Sequence, residues 1–192
     1  MGVIVRRELR AQAEEALSRE AQLTDTPPEA RTVAVFPFRL LSENRELEPL
    51  GVALADMMIT DLGLAGGIQV LERSRIQALL DEMALTEAGY TEEESGARAG
   101  RLLRAQHVVQ GAVTPVGEET IQMSADVRNT VSRDTEGGTS GEDELTRLFD
   151  LEKRAVFDVL DVLGVDLTPA ERQAINENRA GNILAFLAYG RG

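Results

Sequence analysis

Residues 50–73, LGVALADMMITDLGLAGGIQVLER, decide how this chain is read. Leu50, Leu54, Met57, Met58 and Leu62 recur at helical spacing, Gly63, Gly66 and Gly67 follow, and the short apolar run IQVLER reads as a strand. A phosphate cradle needs the opposite order: strand, glycine loop, then helix, so that amides at the positive helix end meet the anion. Here the helix comes first, and an anion at the glycines would face its negative end. No lysine or arginine lies inside the loop. Gly63, Gly66 and Gly67 are therefore expected to stop a helix and turn the chain.

Working outward, residues 4–23 read as a helix with a narrow stripe of Leu9, Ala13, Ala16 and Leu17. That stripe suits either docking on its own domain or a contact between subunits. The prolines of TDTPPEA end the pattern and mark a boundary near Thr24 to Arg31. TVAVFPF reads as a buried strand and Glu46 to Leu64 as the first core helix. A helix beginning at Ser74 follows IQVLER, with Ser74 and Gln77 at capping-box spacing, and Glu92 to Ala105 forms the next helix. TIQMSADVR alternates strictly, so residues 107–129, turning at GEET, form a hairpin with one face buried. RDTEGGTSGED reads as a loop with at most a short edge strand. A long helix runs from about Glu142 to Leu163, and VDLTPAERQAI restarts a helix with Thr168 as N-cap and Pro169 first.

The order β-α-β-α-α-β-β-α predicts an α/β layered domain: a small mixed sheet flanked by helices, with an N-terminal helical extension and C-terminal helices. The expected divisions are 1–26 for the helix and linker, 27–165 for the α/β domain and 166–192 for a helical extension.

Charge narrows the function. With 33 acidic against 20 basic residues the net charge is -13, and such a surface repels nucleic acid and anionic lipid. Lys153 is the single lysine among the basic residues. The absence of cysteine removes disulfides, thiolate metal sites and a cysteine nucleophile, and the single His107 removes a multi-histidine metal site. No apolar run approaches the roughly 20 residues of a membrane helix. MGVIVRREL brings charge after three apolar residues and does not read as a signal peptide, so the chain is expected to be soluble as it stands.

The candidate chemical groups do not converge. Asp56 and Asp61 lie about 140° apart around a helix, which leaves no paired carboxylates. Asp56 and Thr60, at i and i+4, are placed to interact with each other. Glu72 and Arg73 end a strand, where α/β folds often hold ligands, and are read here as anchors between elements first. His107 opens a strand beside Val108 and Val109 and reads as structural. The acidic runs EEES and GEDE lack the alternating oxygen ligands of a calcium loop. No catalytic residue, cofactor or metal is expected.

VAVFPFRLLSE, then LGVALADMMITDLGLAGGIQVLERSRIQALLDEM, then GARAGRLLRAQHVVQGAVTPVGEETIQMSADV form an ordered series that resembles the CsgG-like family over residues 32–165. Matching positions include Gly51, Asp56, Thr60, Gly67, Glu72, Arg73 and Gly111. The resemblance implies an α/β domain similar to the TolB amino-terminal region and a non-enzymatic assembly or adaptor role in the bacterial cell envelope. It also implies a periplasmic or outer-membrane-associated place and protein partners, with a homo-oligomer, of which a ring is one form, in which Leu9, Ala13, Ala16 and Leu17 are candidate contacts. Curli-type relatives carry a lipidated cysteine and pore hairpins. This chain has neither a lipobox cysteine nor aromatic residues between Tyr90 and Phe149 to supply such hairpins, so membrane attachment would need an anchor or signal that this sequence lacks. NILAFLAYGRG resembles the start of a tetratricopeptide helix. A ligand-sensing module using a cleft near Glu72, Arg73 and His107 is the alternative reading.

Overall fold

The computed structural model describes residues 3–24, 26–44, 47, 49–86, 92–117 and 119–178. Two N-terminal helices, α1 (Val3–Ser18) and α2 (Glu20–Thr24), precede strands β1 (Glu29–Val35) and β2 (Arg39–Leu40). Helix α3 (Pro49–Leu62), strand β3 (Gln69–Val70) and helices α4 (Arg73–Thr86) and α5 (Glu92–Leu102) follow. Strands β4 (Ala105–Val116), β5 (Thr120–Asn129) and β6 (Thr135–Glu144) come next, then α6 (Leu148–Val162) and α7 (Pro169–Glu177). The sheet runs β3-β1-β4-β5-β6, with β2 paired to β4. β1 lies parallel to β3 and β4, whereas β4–β5 and β5–β6 are antiparallel. The α/β layering and mixed sheet expected from the sequence are present.

Alternation along β1 divides the interior. Val33 and Val35 enter a first core with Leu50, Leu54, Met58 and Leu62 of α3 and with Leu148, Leu151, Val156 and Leu160 of α6. Ala34 and Phe36 enter a second core with Ile76, Leu79 and Met83 of α4 and Ala99 and Leu102 of α5. Burial on both faces explains why β1 reads as a continuous apolar run. β5 is different: Ile121, Met123, Ala125 and Val127 are buried in the first core, while Gln122 and Asp126 on the other face are exposed. Half the sheet is a three-layer sandwich, and the other half is open on one side.

The N-terminal stripe is seated on this domain. Ala13 is buried in the second core, Ala16 and Leu17 pack against it, and Leu9 is half-buried. Arg10 reaches Glu82 of α4 at 2.8 Å. The expected single helix is broken at Arg19, and α2 is held to α5 by Arg98, whose Nε and Nη2 donate to Glu20 at 2.6 and 2.7 Å. At the other end, Ile175 of α7 is fully buried in the first core. The tetratricopeptide-like ending lies outside the described residues.

Four boundaries differ from the sequence expectation. The first core helix begins at Pro49, because a residue without an amide hydrogen and with φ fixed is tolerated in the first turn; Glu46 lies outside the described residues. α4 begins at Arg73, and Gln77 turns away to donate to Asp81 at 2.7 Å, so the Ser74 capping box does not form. α5 stops before Arg104, whose φ of 58° is left-handed. The stretch expected to be a loop is a ten-residue strand, β6, and the helix expected from Glu142 begins at Leu148.

The glycines of β6 explain the last error. They read as loop punctuation, yet they let α6 lie close on the sheet. A Cβ on Gly137 would stand 2.7 and 3.1 Å from the two methyls of Val162, and one on Gly141 would stand 2.7 Å from Leu151 Cδ1. Val162 is β-branched and stiff within its helix. Gly137→Val, which raises strand propensity, is therefore expected to lower stability by about 1–3 kcal/mol in urea unfolding. A neutral or stabilising result would mean that α6 does not need this close approach.

Candidate functional site

Four of the motif positions expected from the sequence meet around two contacts. Gly51, in the first turn of α3, stands so close to Phe38 that a Cβ there would overlap the Phe38 carbonyl oxygen. The Phe38 amide donates to the Gly51 carbonyl at 3.1 Å. Gly111 of β4 lies under the Phe38 ring, where a Cβ would overlap both the ring and the Ser124 carbonyl. Two glycines from different elements thus make room for one buried phenylalanine. Asp56 forms the second contact: Arg73 Nη1 donates to its Oδ2 at 2.6 Å, tying α3 to the start of α4. Burial pushes the Asp56 carboxyl up, and the neighbouring Arg73 charge and hydrogen bond oppose that without reversing it. Its other oxygen, Oδ1, is buried without a partner among the described residues.

Thr60 donates to the Asp56 backbone carbonyl at 2.8 Å, so the pair interacts through main chain and not through two side chains. Glu72 is exposed, and its carbonyl accepts from the amides of Arg75 and Ile76 at the start of α4. His107 Nε2 lies 2.9 Å from Glu136 Oε2, and its buried Nδ1 has no hydrogen-bond partner among the described residues. Arg73 and His107 hold separate acids, and no described contact joins Glu72, Arg73 and His107.

The glycine loop does hold an anion, but one from this chain. Gly67 has φ 85°, the left-handed turn expected of it. The Gly66 amide donates to Glu171 Oε1 of α7 at 2.6 Å. The other oxygen of Glu171 accepts from the Thr168 amide at 2.7 Å, and the Glu171 amide donates to Thr168 Oγ1, completing a capping box. Hydrogen bonds from the Thr168 side chain and amide, then from Gly66, hold the Glu171 carboxyl below its usual range. The loop is an internal latch for α7.

A deeper cluster was not anticipated. Lys153 of α6 is hydrogen-bonded to Asp61 of α3, Glu152 Oε2 lies 3.3 Å from the same Lys153 Nζ, and Asn178 Nδ2 donates to Asp61 Oδ1 at 2.5 Å. Asp61 and Glu152 are 0% exposed and Lys153 3%. Neither Glu152 oxygen has an aligned hydrogen-bond partner among the described residues. Burial, then the Asp61 charge, pushes the Glu152 carboxyl up to about 8, while Lys153 pulls the other way. Glu152 is therefore held toward its protonated form beside the Asp61–Lys153 ion pair. Residues so enclosed offer no substrate a route to the amine, and the cluster reads as a joint between helices.

Two consequences can be measured. Gly51→Ala is expected to lower stability by about 3 kcal/mol or more, because the added methyl meets backbone that cannot rotate away. A shift in urea midpoint within error of wild type would contradict the close approach. Glu152 is raised in the folded state, so its favourable contribution is complete below the unfolded value of 4.5 and is lost as pH rises through about 8. Between those values stability should fall with pH, by at most about 1.4 kcal/mol per unit. Glu152→Gln, which stays neutral, should flatten that slope; parallel wild-type and variant profiles from pH 5 to about 8 would remove Glu152 as the cause.

The family described as curli production assembly/transport component CsgG matches residues 14–142. No curated protein matches the chain. Among solved structures, TolB from Acinetobacter baumannii is 12% identical with a TM-score of 0.48, covering 71% of this chain and 29% of its own. This chain thus spans less than a third of that TolB. A PelC dodecamer from Paraburkholderia phytofirmans is 17% identical with a TM-score of 0.44, covering 71% of this chain and 93% of its own. The LpoB C-terminal domain from Escherichia coli is 7% identical with a TM-score of 0.46, covering 70% and 94%. The family match takes in more than half of the 192 residues and contains all seven motif positions, from Gly51 to Gly111, so the chain belongs to the CsgG family.

Proposed function

We propose that the chain is a non-enzymatic assembly or adaptor domain of the bacterial cell envelope that associates with copies of itself. One observation carries this reading: the motif residues with chemical potential are engaged in holding the fold. Gly51 and Gly111 accommodate Phe38, Asp56 holds Arg73, and Gly67 shapes the turn that lets Gly66 take Glu171. A motif that fixes shape fits a protein whose product is a surface, and the family description, an assembly and transport component, agrees with that. No described helix is long and apolar enough to cross a membrane, so envelope association would act through partners or an attached anchor.

Self-association has to overcome a charge of -13 on each copy, which favours small apolar contacts over broad polar ones. Since Ala13, Ala16 and Leu17 are engaged on the second core, the free apolar part of α1 is its first turn, where Ile4 is 80% and Val5 45% exposed. Leu9, half-buried one turn and more beyond, extends that strip. Sedimentation velocity across a wide concentration range is expected to show a reversible oligomer. Raising salt should strengthen it by screening the like charges, and Ile4→Glu should weaken it. A monomer at every concentration and salt would end the self-association reading.

A further inference from the structure

At the end of the sheet where β1 begins, a cavity of about 290 Å³ lies between the α2–β1 connection, α5 and the β5–β6 turn. Leu23, Pro27, Pro28 and Val131 give it apolar walls, and Arg101 and Arg133 give it charge. The walls are preformed: consecutive prolines fix φ, and the turn is held by Asn129, whose Oδ1 accepts from the amides of Val131 and Ser132 at 2.9 and 3.2 Å. Arg133 sits in that turn with φ 66°. Val131 is 65% exposed and turns an apolar side chain to the cavity.

The two guanidinium groups are close enough to disfavour each other. Burial and then the Arg133 charge pull the Arg101 pKa down, and Glu20 opposes them. Glu20, however, is already held by both Nε and Nη2 of Arg98. Arg101 Nη1 reaches the Thr130 carbonyl at a long 3.5 Å, and Arg133 is exposed to solvent. Arg101, half-buried, shares Glu20 with Arg98, and Arg133 is exposed, so an anion entering the cavity would meet two guanidinium groups of which neither is tied to a carboxylate of its own.

We propose that this cavity binds the C-terminal carboxylate of a peptide, with Arg101 and Arg133 holding the carboxylate and the Leu23–Pro27–Pro28–Val131 wall holding a small apolar terminal side chain. Guanidinium groups present paired donors that match a carboxylate in geometry and charge, and capture of a chain terminus is a recurrent mode of peptide recognition. The volume is at the lower edge of small-ligand sites, which run from about 300 Å³ upward, so it suits one or two residues. A net charge of -13 repels nucleic acid and anionic membranes at long range, whereas one carboxylate on an apolar chain responds mainly to the two local cations. The site does not depend on self-association.

The test uses the full chain and three probes: an N-acetylated peptide ending Ala-Val-Leu with a free carboxylate, the same peptide amidated, and inorganic phosphate, followed by amide-resonance shifts and calorimetry. The free acid is expected to bind saturably, with shifts confined to the cavity residues. Amidation and Arg133→Asn are each expected to weaken binding about tenfold or more, the loss of one charge-assisted hydrogen-bonded pair. Asparagine accepts a left-handed φ readily, so that variant keeps the turn; Arg101→Gln provides a second removal of charge. Equal affinity for acid and amide, unchanged affinity in both variants, displacement by phosphate at comparable concentration, or no saturable binding of the free acid would each overturn the proposal.

Discussion

The approach of α3 to the end of β1, through Gly51 and Phe38, sets the position of everything on the first face of the sheet. The Phe38 amide is bonded to the Gly51 carbonyl, and no side chain fits between the two backbones. With the start of α3 fixed there, its apolar stripe returns over the sheet and meets Val33, Val35 and Val109. Gly111 leaves room for the Phe38 ring against β4, so the same residue touches both the start of α3 and the antiparallel half. A methyl group at either glycine would push apart elements that share one core, and close-packed interiors relax only partly.

Apolar packing alone would leave α3, α6 and α7 free to slide, since hydrophobic attraction is non-directional. The charge cluster removes that freedom. Asp61 from α3, Lys153 from α6 and Asn178 just beyond α7 meet at one point, and Glu171 fastens the other end of α7 to the Gly66 loop. Such a cluster adds little net stability, because dehydrating the charges offsets most of their attraction, but separating the partners is costly. It therefore acts on register. The protonation of Glu152 makes the arrangement tolerable: a second buried carboxylate beside Asp61 is avoided by keeping it neutral.

The sequence made visible what is encoded locally. The β4–β5 hairpin follows from strict alternation in residues 120–128, the Thr168 cap from the proline that follows it, and the turn at Gly67 from its place after an apolar helix. What it concealed depends on distant partners. β6 has the composition of a loop, and it is a strand because β5 pairs with it and α6 covers it. Glu171 and Gly66 are separated by 105 residues, and Asp61 and Lys153 by 92, so no periodicity joins them. One signal was present: Glu152 stands four residues from both Leu148 and Val156 on the apolar stripe of α6, followed by the single lysine of the chain. An acid on a buried stripe beside an isolated lysine announces an internal partner.

The uneven covering of the sheet also governs how this molecule can meet others. β6 is an edge strand with exposed backbone on one side, ordinarily a template for adding further strands. Its last three residues, Glu142, Asp143 and Glu144, are acidic, and a second copy laid along that edge would bring its own acidic residues to the same surface. Arg154 neutralises Asp143 from above, at 2.8 Å, without covering the edge. The edge is thus defended by charge, and the open face of β5 stays polar through Gln122 and Asp126. The proposed contacts fall at small places where the charge is locally absent or reversed: the first turn of α1, with Ile4 and Val5, and the arginine-lined cavity. On a strongly acidic surface, like-charge repulsion would favour partners that meet such apolar or basic spots.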